Sequence, residues 1–404
     1  ALHSARGEDD TLDSYVTSTV FLQIIIATVT FSCVLIASFY IDRLLGADSD
    51  LVAPARAVVI FLGATLAYRM LAWPARGVLT GHHLWTINAG VNIAGDVLAL
   101  LVMVVVLLGG GGLFELAGSY FVVTVVTESS RLAVARRCYG RALLRSGFVS
   151  FAHVKDLLIF GVKTNVGELP NIVVAQTLNI LLTAAVGPAA LAVYARSLAL
   201  QRHTQVLVRS FTMLLTSTAG SLQGLGMRDE MRPFFIESLR FSFALTIPLF
   251  MMLAAFGDAL LALWMGEDYM QSGLLQIICL GMVLPAASSA AFRIVVGVNE
   301  HGRIGLVALG LSTVLLIASM VSILSVDVSL HSIALSLGVS LSLGSAVPIL
   351  IMTCRKFDVS SLDFFAQVIF RPLASNIPAA AVLGVFWYYF GRPTILEAIG
   401  LGFV

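Results

Sequence analysis

KDLLIFGVKTNVGELPNIVVAQTLNILLTAAVGPAALAVYARSLALQRHTQVLVRSFT, residues 155–212, reads as a helical hairpin in a membrane, with polar groups where lipid-facing helices have none. Its first arm, about 157–184, carries Asn165, Glu168, Gln176 and Asn179. At about 100° per residue these four fall within a sector of about 80°. One face of that helix is therefore wet or covered by protein. After the Gly187-Pro188 turn, the second arm carries Arg196, Arg202, His203 and Arg209. A rise of about 1.5 Å per residue puts Arg202 well inside the hydrocarbon layer, where a guanidinium must face a partner or an aqueous cavity. Two readings follow. The groups pair between helices, with Glu168 neutralised by Lys163 or by an arginine of the second arm, or they line a solvated pathway. Three arginines against one carboxylate do not cancel, which favours the pathway.

Composition sets the class. Of 404 residues, 58% are hydrophobic and only 12% charged, and the mean hydropathy is +0.96. Apolar runs of about twenty residues recur along the chain, which points to a polytopic α-helical membrane protein and away from a β-barrel. The net charge of +1 averages over loops on both sides of a membrane and gives no indication of nucleic acid. Cys33, Cys138, Cys279 and Cys354 are scattered and form no C-x-x-C. Neither a disulfide framework, a metal site nor a cofactor is expected. No H-E-x-x-H, P-loop or G-x-S-x-G stretch is present, so no catalytic residue is assigned. The chain begins without Met and stops inside the apolar run IGLGFV, so both ends are expected to be cut.

Candidate spans lie at about 15–41, 52–74, 86–108, 113–136, 157–184, 188–217, 233–263, 272–297, 302–325, 329–353 and 368–390, with a last one from 394. Loops after the even-numbered spans hold Arg76, Arg136, Arg137, Arg141, Arg145, Lys155, Arg228, Arg232, Arg303, Arg355 and Lys356; loops after the odd ones hold Arg43 and Arg392. The positive-inside rule then makes the even loops and the N-terminal residues cytoplasmic. The basic segment 136–156 divides the chain into an N-terminal lobe, 1–145, and a C-terminal lobe, 146–356, followed by a helix pair, 357–404. An echo supports two lobes: RGVLTGHHLWTINAGVNIAGDV from Arg76 and RIVVGVNEHGRIGLVALGLSTV from Arg293 each lead from an arginine through a turn into a helix rich in small residues. In span three, Asn88, Asn92 and Asp96 recur at i, i+4 and i+8 on one face. The two amides suit interhelical hydrogen bonding, whereas a carboxylate as deep as Asp96 is a candidate proton or cation site. In span seven, Arg240 and Asp258 are expected to snorkel towards opposite interfaces.

VGPAALAVYARSLAL, the WMGEDYMQSG that closes span seven, and the Arg/Gly-turn endings of spans two and eight resemble the multidrug/oligosaccharidyl-lipid/polysaccharide flippase superfamily, within it the bacterial polysaccharide (O-antigen type) transporters. Val186, Gly187, Tyr194, Ala195 and Leu198, spaced V-G-x-x-x-x-x-x-Y-A-x-x-L, resemble the span-pair junction that recurs at the start of that family's second lobe. The resemblance implies an all-α fold of fourteen helices in two lobes plus a C-terminal pair, of which the first two are expected to be missing here. It implies a multi-pass protein of the cell inner membrane. The protein would move an undecaprenyl-pyrophosphate-linked oligosaccharide across that membrane by alternating access, coupled to H+ or Na+, with membrane lipid and glycan polymerase machinery as partners. Arginine's planar fork suits phosphate oxygens, and amides suit sugar hydroxyls. Substrate binding is accordingly expected at Arg202 and Arg209, then Arg196, with Asn165, Gln176 and Asn179; Glu168 and Asp96 are the ion-coupling candidates. Arg202 and Arg209 share one stripe of span six, with Arg196 and His203 about 120° away. A multidrug and toxin extruder of the same superfamily would favour cavity carboxylates over arginines. A lipid II flippase shares the arginines and stays open. A membrane glycan polymerase or ligase is disfavoured by the short extracytoplasmic loops.

Overall fold

In hydrocarbon no water is present to satisfy backbone N–H and C=O groups, so a spanning segment must hydrogen-bond within itself. The computed structural model describes residues 9–40, 52–139, 149–326 and 328–390, and every regular element among them is helical. These are α1 (Asp9–Ser38), α2 (Val52–Gly81), α3 (Trp85–Leu108), α4 (Leu113–Tyr139), α5 (Phe151–Ala185), α6 (Pro188–Gly224), α7 (Arg228–Met265), α8 (Leu274–Gly297) and α9 (His301–Val326). Next come α10 (Leu330–Lys356), which contains a π-helical turn at Ser342–Ala346, and α11, which runs from Ser361 through π-helical Phe364–Phe370 into Arg371–Phe390. Nine of these described helices are long and apolar enough to cross a membrane. The other two, α4 with Glu128 and Arg131 and α6 with Arg196, Arg202 and Arg209, are interrupted by charged side chains. The protein is thus an all-α, multi-pass membrane protein. The expected span from residue 394 lies outside the described residues.

Several helices overrun the boundaries read from hydropathy. α2 continues through Pro74 to Gly81, so Arg76 belongs to a helix and not to a loop. α5 begins at Phe151 and already contains Lys155. Hydropathy marks only the part of a helix that needs lipid, and a polar extension beyond it continues freely into interfacial water.

Two compact units are present, Ala1–Ile159 and Phe160–Val404. In the first, α4 packs on α2 and α3, and α2 packs on α1. The opening turn of α5 docks on α1: Ser150 N–H donates to Ser18 Oγ (3.1 Å), Ser14 Oγ meets His153 Nδ1 (2.7 Å), and Tyr15 stacks on the His153 ring at 4.1 Å.

In the second unit the most enclosed helix is α8. Its Ala286, Ala287, Ala290 and Ala291 are fully buried, and such small side chains let neighbouring backbones approach closely. At Gly281 a Cβ would lie 2.7 Å from the Gly338 Cα of α10. At the first residue of the π turn, the same contact is tightened by Ser342 Oγ donating to the Gly281 carbonyl (2.7 Å).

The internal echo has a geometric counterpart. After α2, His83 takes φ 59° and Leu84 N–H bonds back to Leu79 O; after α8, Asn299 takes φ 58° and Glu300 N–H bonds back to Val295 O. Both turns close the helix with a left-handed residue two positions after a glycine, the usual way of satisfying its last carbonyls.

Gly281→Leu is expected to lower the thermal stability of the purified protein by about 1–3 kcal/mol through overpacking against α10. Gly310→Leu, where a side chain meets open space, should leave the melting curve in place; equal shifts in the two variants would contradict the close contact.

Candidate functional site

Glycine contacts place the polar groups. A Cβ on Gly167 of α5 would collide with the Phe292 ring of α8, and Gly305 of α9 approaches the Gly167 backbone to within 3.0 Å of its missing Cβ. With Gly167 seated on Phe292, the next residues of the two helices meet: Glu168 Oε1 accepts from Arg293 at 2.8 Å. A third helix joins through α6, whose Thr216 donates its hydroxyl to the Arg293 carbonyl (3.1 Å). Thr216 and Arg209 are seven residues apart, on one stripe, and Arg209 reaches Glu168 Oε2 at 3.7 Å. Arg202 continues that stripe. One carboxylate is therefore shared by two guanidiniums, and the cluster keeps a positive charge.

Accessibility separates these groups. Arg293 is 16% exposed and Glu168 30%, whereas Arg209 is 58% exposed and is held only by the looser contact. Arg196 and Arg202 are exposed and make no ion pair among the described residues. Asn165 is exposed and donates to the Gly161 carbonyl of its own helix (3.0 Å). Gln176 accepts from Asn179 at 3.4 Å, and Asn179 Oδ1 is buried without a partner. Lys163 does not neutralise Glu168. Five residues separate them, about 140° around the helix, and the lysine stem lies on Gly302 of α9.

Sequence reasoning took Arg293 only as the head of an echo and missed it as the tighter partner of Glu168. The available signal was its being the lone cation in the apolar run of α8. Asn171, exposed on α5 one turn beyond Glu168, was also passed over.

The first unit holds a buried counterpart. Gly95 of α3 fits against Thr127 of α4, and around that contact Arg131 donates to Asn88 Oδ1 and Asn92 Oδ1, each at 2.7 Å. Glu128 Oε1 takes Arg76 at 3.0 Å, and its Oε2 lies 2.9 Å from Arg131 Nε, an ion pair whose angle falls short of a hydrogen bond. Here too one carboxylate serves two arginines, but Glu128 and Arg131 are only 3% and 1% exposed. The two amides of α3 are thus occupied by an arginine the sequence reading did not single out. Asp96, one turn further, is exposed and makes no ion pair among the described residues.

Asp258 does not snorkel as expected. Gly257 packs on Leu275, and the residues that follow each of them meet, with Gln276 Nε2 donating to Asp258 Oδ2 at 3.2 Å. Among the described residues no group of three metal-ligating side chains occurs.

Glu128→Gln, which strands a buried guanidinium, should destabilise the protein by about 3–5 kcal/mol, and Glu168→Gln at the more open cluster by clearly less. Unfolding of both variants in the same detergent measures the difference; equal losses would contradict the contrast in burial.

Solved structures similar in fold include transporters. The chain matches an outward-facing conformation of a multidrug resistance MATE family transporter of the MOP superfamily with a TM-score of 0.77 at 16% identity, covering 88% of this chain and 81% of that one. A MATE structure in complex with MaD3S matches with the same figures. A MOP superfamily transporter from Pyrococcus furiosus, described by the reverse polarity of its binding pocket, matches at TM-score 0.75 and 15% identity, with 88% and 81% covered. No curated protein gives a significant match. Residues 3–273 match the family described as polysaccharide biosynthesis protein. With two thirds of its length so matched, and with the helical fold of MOP-superfamily transporters, the chain belongs to the polysaccharide biosynthesis protein family.

Proposed function

We propose that this protein is a flippase that carries a lipid-linked oligosaccharide, of the undecaprenyl-pyrophosphate type, from the cytoplasmic to the periplasmic leaflet of the inner membrane. Family membership and the transporter fold support the class. The observation that carries the substrate assignment is the surplus of guanidinium over carboxylate on α5, α6 and α8, where Glu168 serves both Arg293 and Arg209. A site left positive in a low-dielectric setting selects an anion, and a pyrophosphate offers several oxygens to planar forks.

In this reading Arg202 and Arg209 take the phosphates, with Arg196 as a second-rank contact. Asn165, Gln176 and Asn179 meet sugar hydroxyls, each amide offering both a donor and an acceptor. The arriving anion competes with Glu168 for Arg209, whose 3.7 Å contact is the weaker of the two, while Arg293 keeps its 2.8 Å bond and holds the carboxylate in place. Net movement requires alternating access and an energy source, for which H+ or Na+ at Asp96 or Glu168 is the proposed coupling. Asp96 has the advantage of carrying no guanidinium that protonation would strand. The N-terminal residues are taken as cytoplasmic from the distribution of lysine and arginine. A multidrug extruder is disfavoured by the same positive surplus, which repels cationic cargo.

Arg202→Ala combined with Arg209→Ala should cut surface glycan by about tenfold or more in a strain that depends on this gene, since each charge-assisted contact is worth about 1.5–3 kcal/mol. Immunoblotting must show the variant at normal levels in the membrane. Unchanged surface glycan at normal protein level would exclude these arginines as the phosphate contacts.

A further inference from the structure

Outside the candidate site, the second unit has a groove of about 620 Å3 between α6, α7 and α11. Phe211 and Leu215 of α6, Phe234, Arg240 and Phe241 of α7, and Arg371 of α11 line it. We propose that this groove holds the phosphate-bearing headgroup of an anionic phospholipid, clamped between Arg240 and Arg371.

The two arginines come from helices tied by a nearby ion pair. Arg232 of α7 bonds Asp363 of α11 at 3.0 Å, and the two helices pack along each other beyond it. Arg240 follows Arg232 by eight residues, and Arg371 follows Asp363 by eight. Eight residues is about 12 Å along α7, and the π-helical Phe364–Phe370 makes the matching stretch of α11 shorter, yet Arg240 and Arg371 both line the one groove, from its α7 and α11 sides. Like charges so placed repel, and little on the protein relieves them. Glu237 stands 3.8 Å from Arg240 but is 70% exposed, a contact of small value, and Arg371 makes no ion pair among the described residues. The groove therefore retains positive charge for an external anion.

The rest of the wall chooses the kind of anion. Phe211 and Phe241 pack at 4.6 Å between ring centroids, and Phe241 is half exposed. Apolar rings beneath a paired cation suit a headgroup followed by acyl chains, and would give free phosphate no benefit. In a multi-pass protein such a basic groove between helices meets lipid directly, the setting in which anionic headgroups are held.

The test is native mass spectrometry of the full-length protein released from detergent with phosphatidylglycerol or phosphatidylcholine. The protein should retain phosphatidylglycerol with a preference of about thirtyfold, given the usual contribution of two arginines near a membrane surface. Arg240→Gln with Arg371→Gln should abolish the preference, Arg240→Lys with Arg371→Lys should keep most of it, and Glu237→Gln should raise it. Arg136→Gln, on α4, should change nothing. The proposal is overturned if the double glutamine variant keeps the full preference, or if inorganic phosphate alone protects the protein from heat as well as phosphatidylglycerol does. Should the glutamine pair fail to fold, the single variants Arg240→Gln and Arg371→Gln decide, because an unaltered preference in both also overturns it.

Discussion

Hydrocarbon offers polar groups no water, and this one constraint shapes the protein at two scales. At the scale of the backbone it leaves only helices, and the chain forms long helices almost wherever it is described. At the scale of the side chain it makes a partner valuable to any intramembrane charge, and Glu168, Asp258 and Arg131 find one on another helix. Which partner is found depends on where two backbones approach closely. Gly167 on Phe292 brings Glu168 to Arg293, Gly257 on Leu275 brings Asp258 to Gln276, and Gly95 on Thr127 brings Arg131 to the amides of α3. In each case a missing side chain sets the register and a polar pair near it follows.

The two units use this device with different outcomes. Around Glu128 the pair with Arg131 is buried, the guanidinium of Arg131 is surrounded by acceptors, and removal of Glu128 leaves that guanidinium without its counter-charge. Around Glu168 the same ratio of one acid to two bases stands open, with one contact tight and one loose. A buried cluster holds helices together. An open one with spare positive charge has capacity for an anionic ligand.

Much of this was legible in the residues. Hydropathy marked the helices, the polar stripe of α5 and the arginines of α6 marked the hairpin, and their order along the chain carried the family likeness. Partner choice was not legible. Arg293 and Arg131 each sit in helices whose other residues are mostly apolar or small, and nothing in their local sequence names Glu168 or the pair Asn88 and Asn92. The snorkelling expected of Asp258 failed for the same reason, since a helix wheel does not include the neighbouring helix. Boundaries such as the end of α2 were missed because a helix does not stop where its apolar stretch does.

By itself, the sequence determined that this is a polytopic helical membrane protein with an excess of positive charge in one apolar hairpin, because burial in lipid demands long apolar runs and makes charged exceptions conspicuous. The tertiary structure decided how that charge is distributed: which arginine is neutralised, which is half held and which is left free. The physical reason is that electrostatic energy in a low-dielectric medium depends steeply on distances of a few ångströms between helices. Those distances are set by side-chain packing across the interface, at contacts such as Gly167 with Phe292, which no single helix encodes.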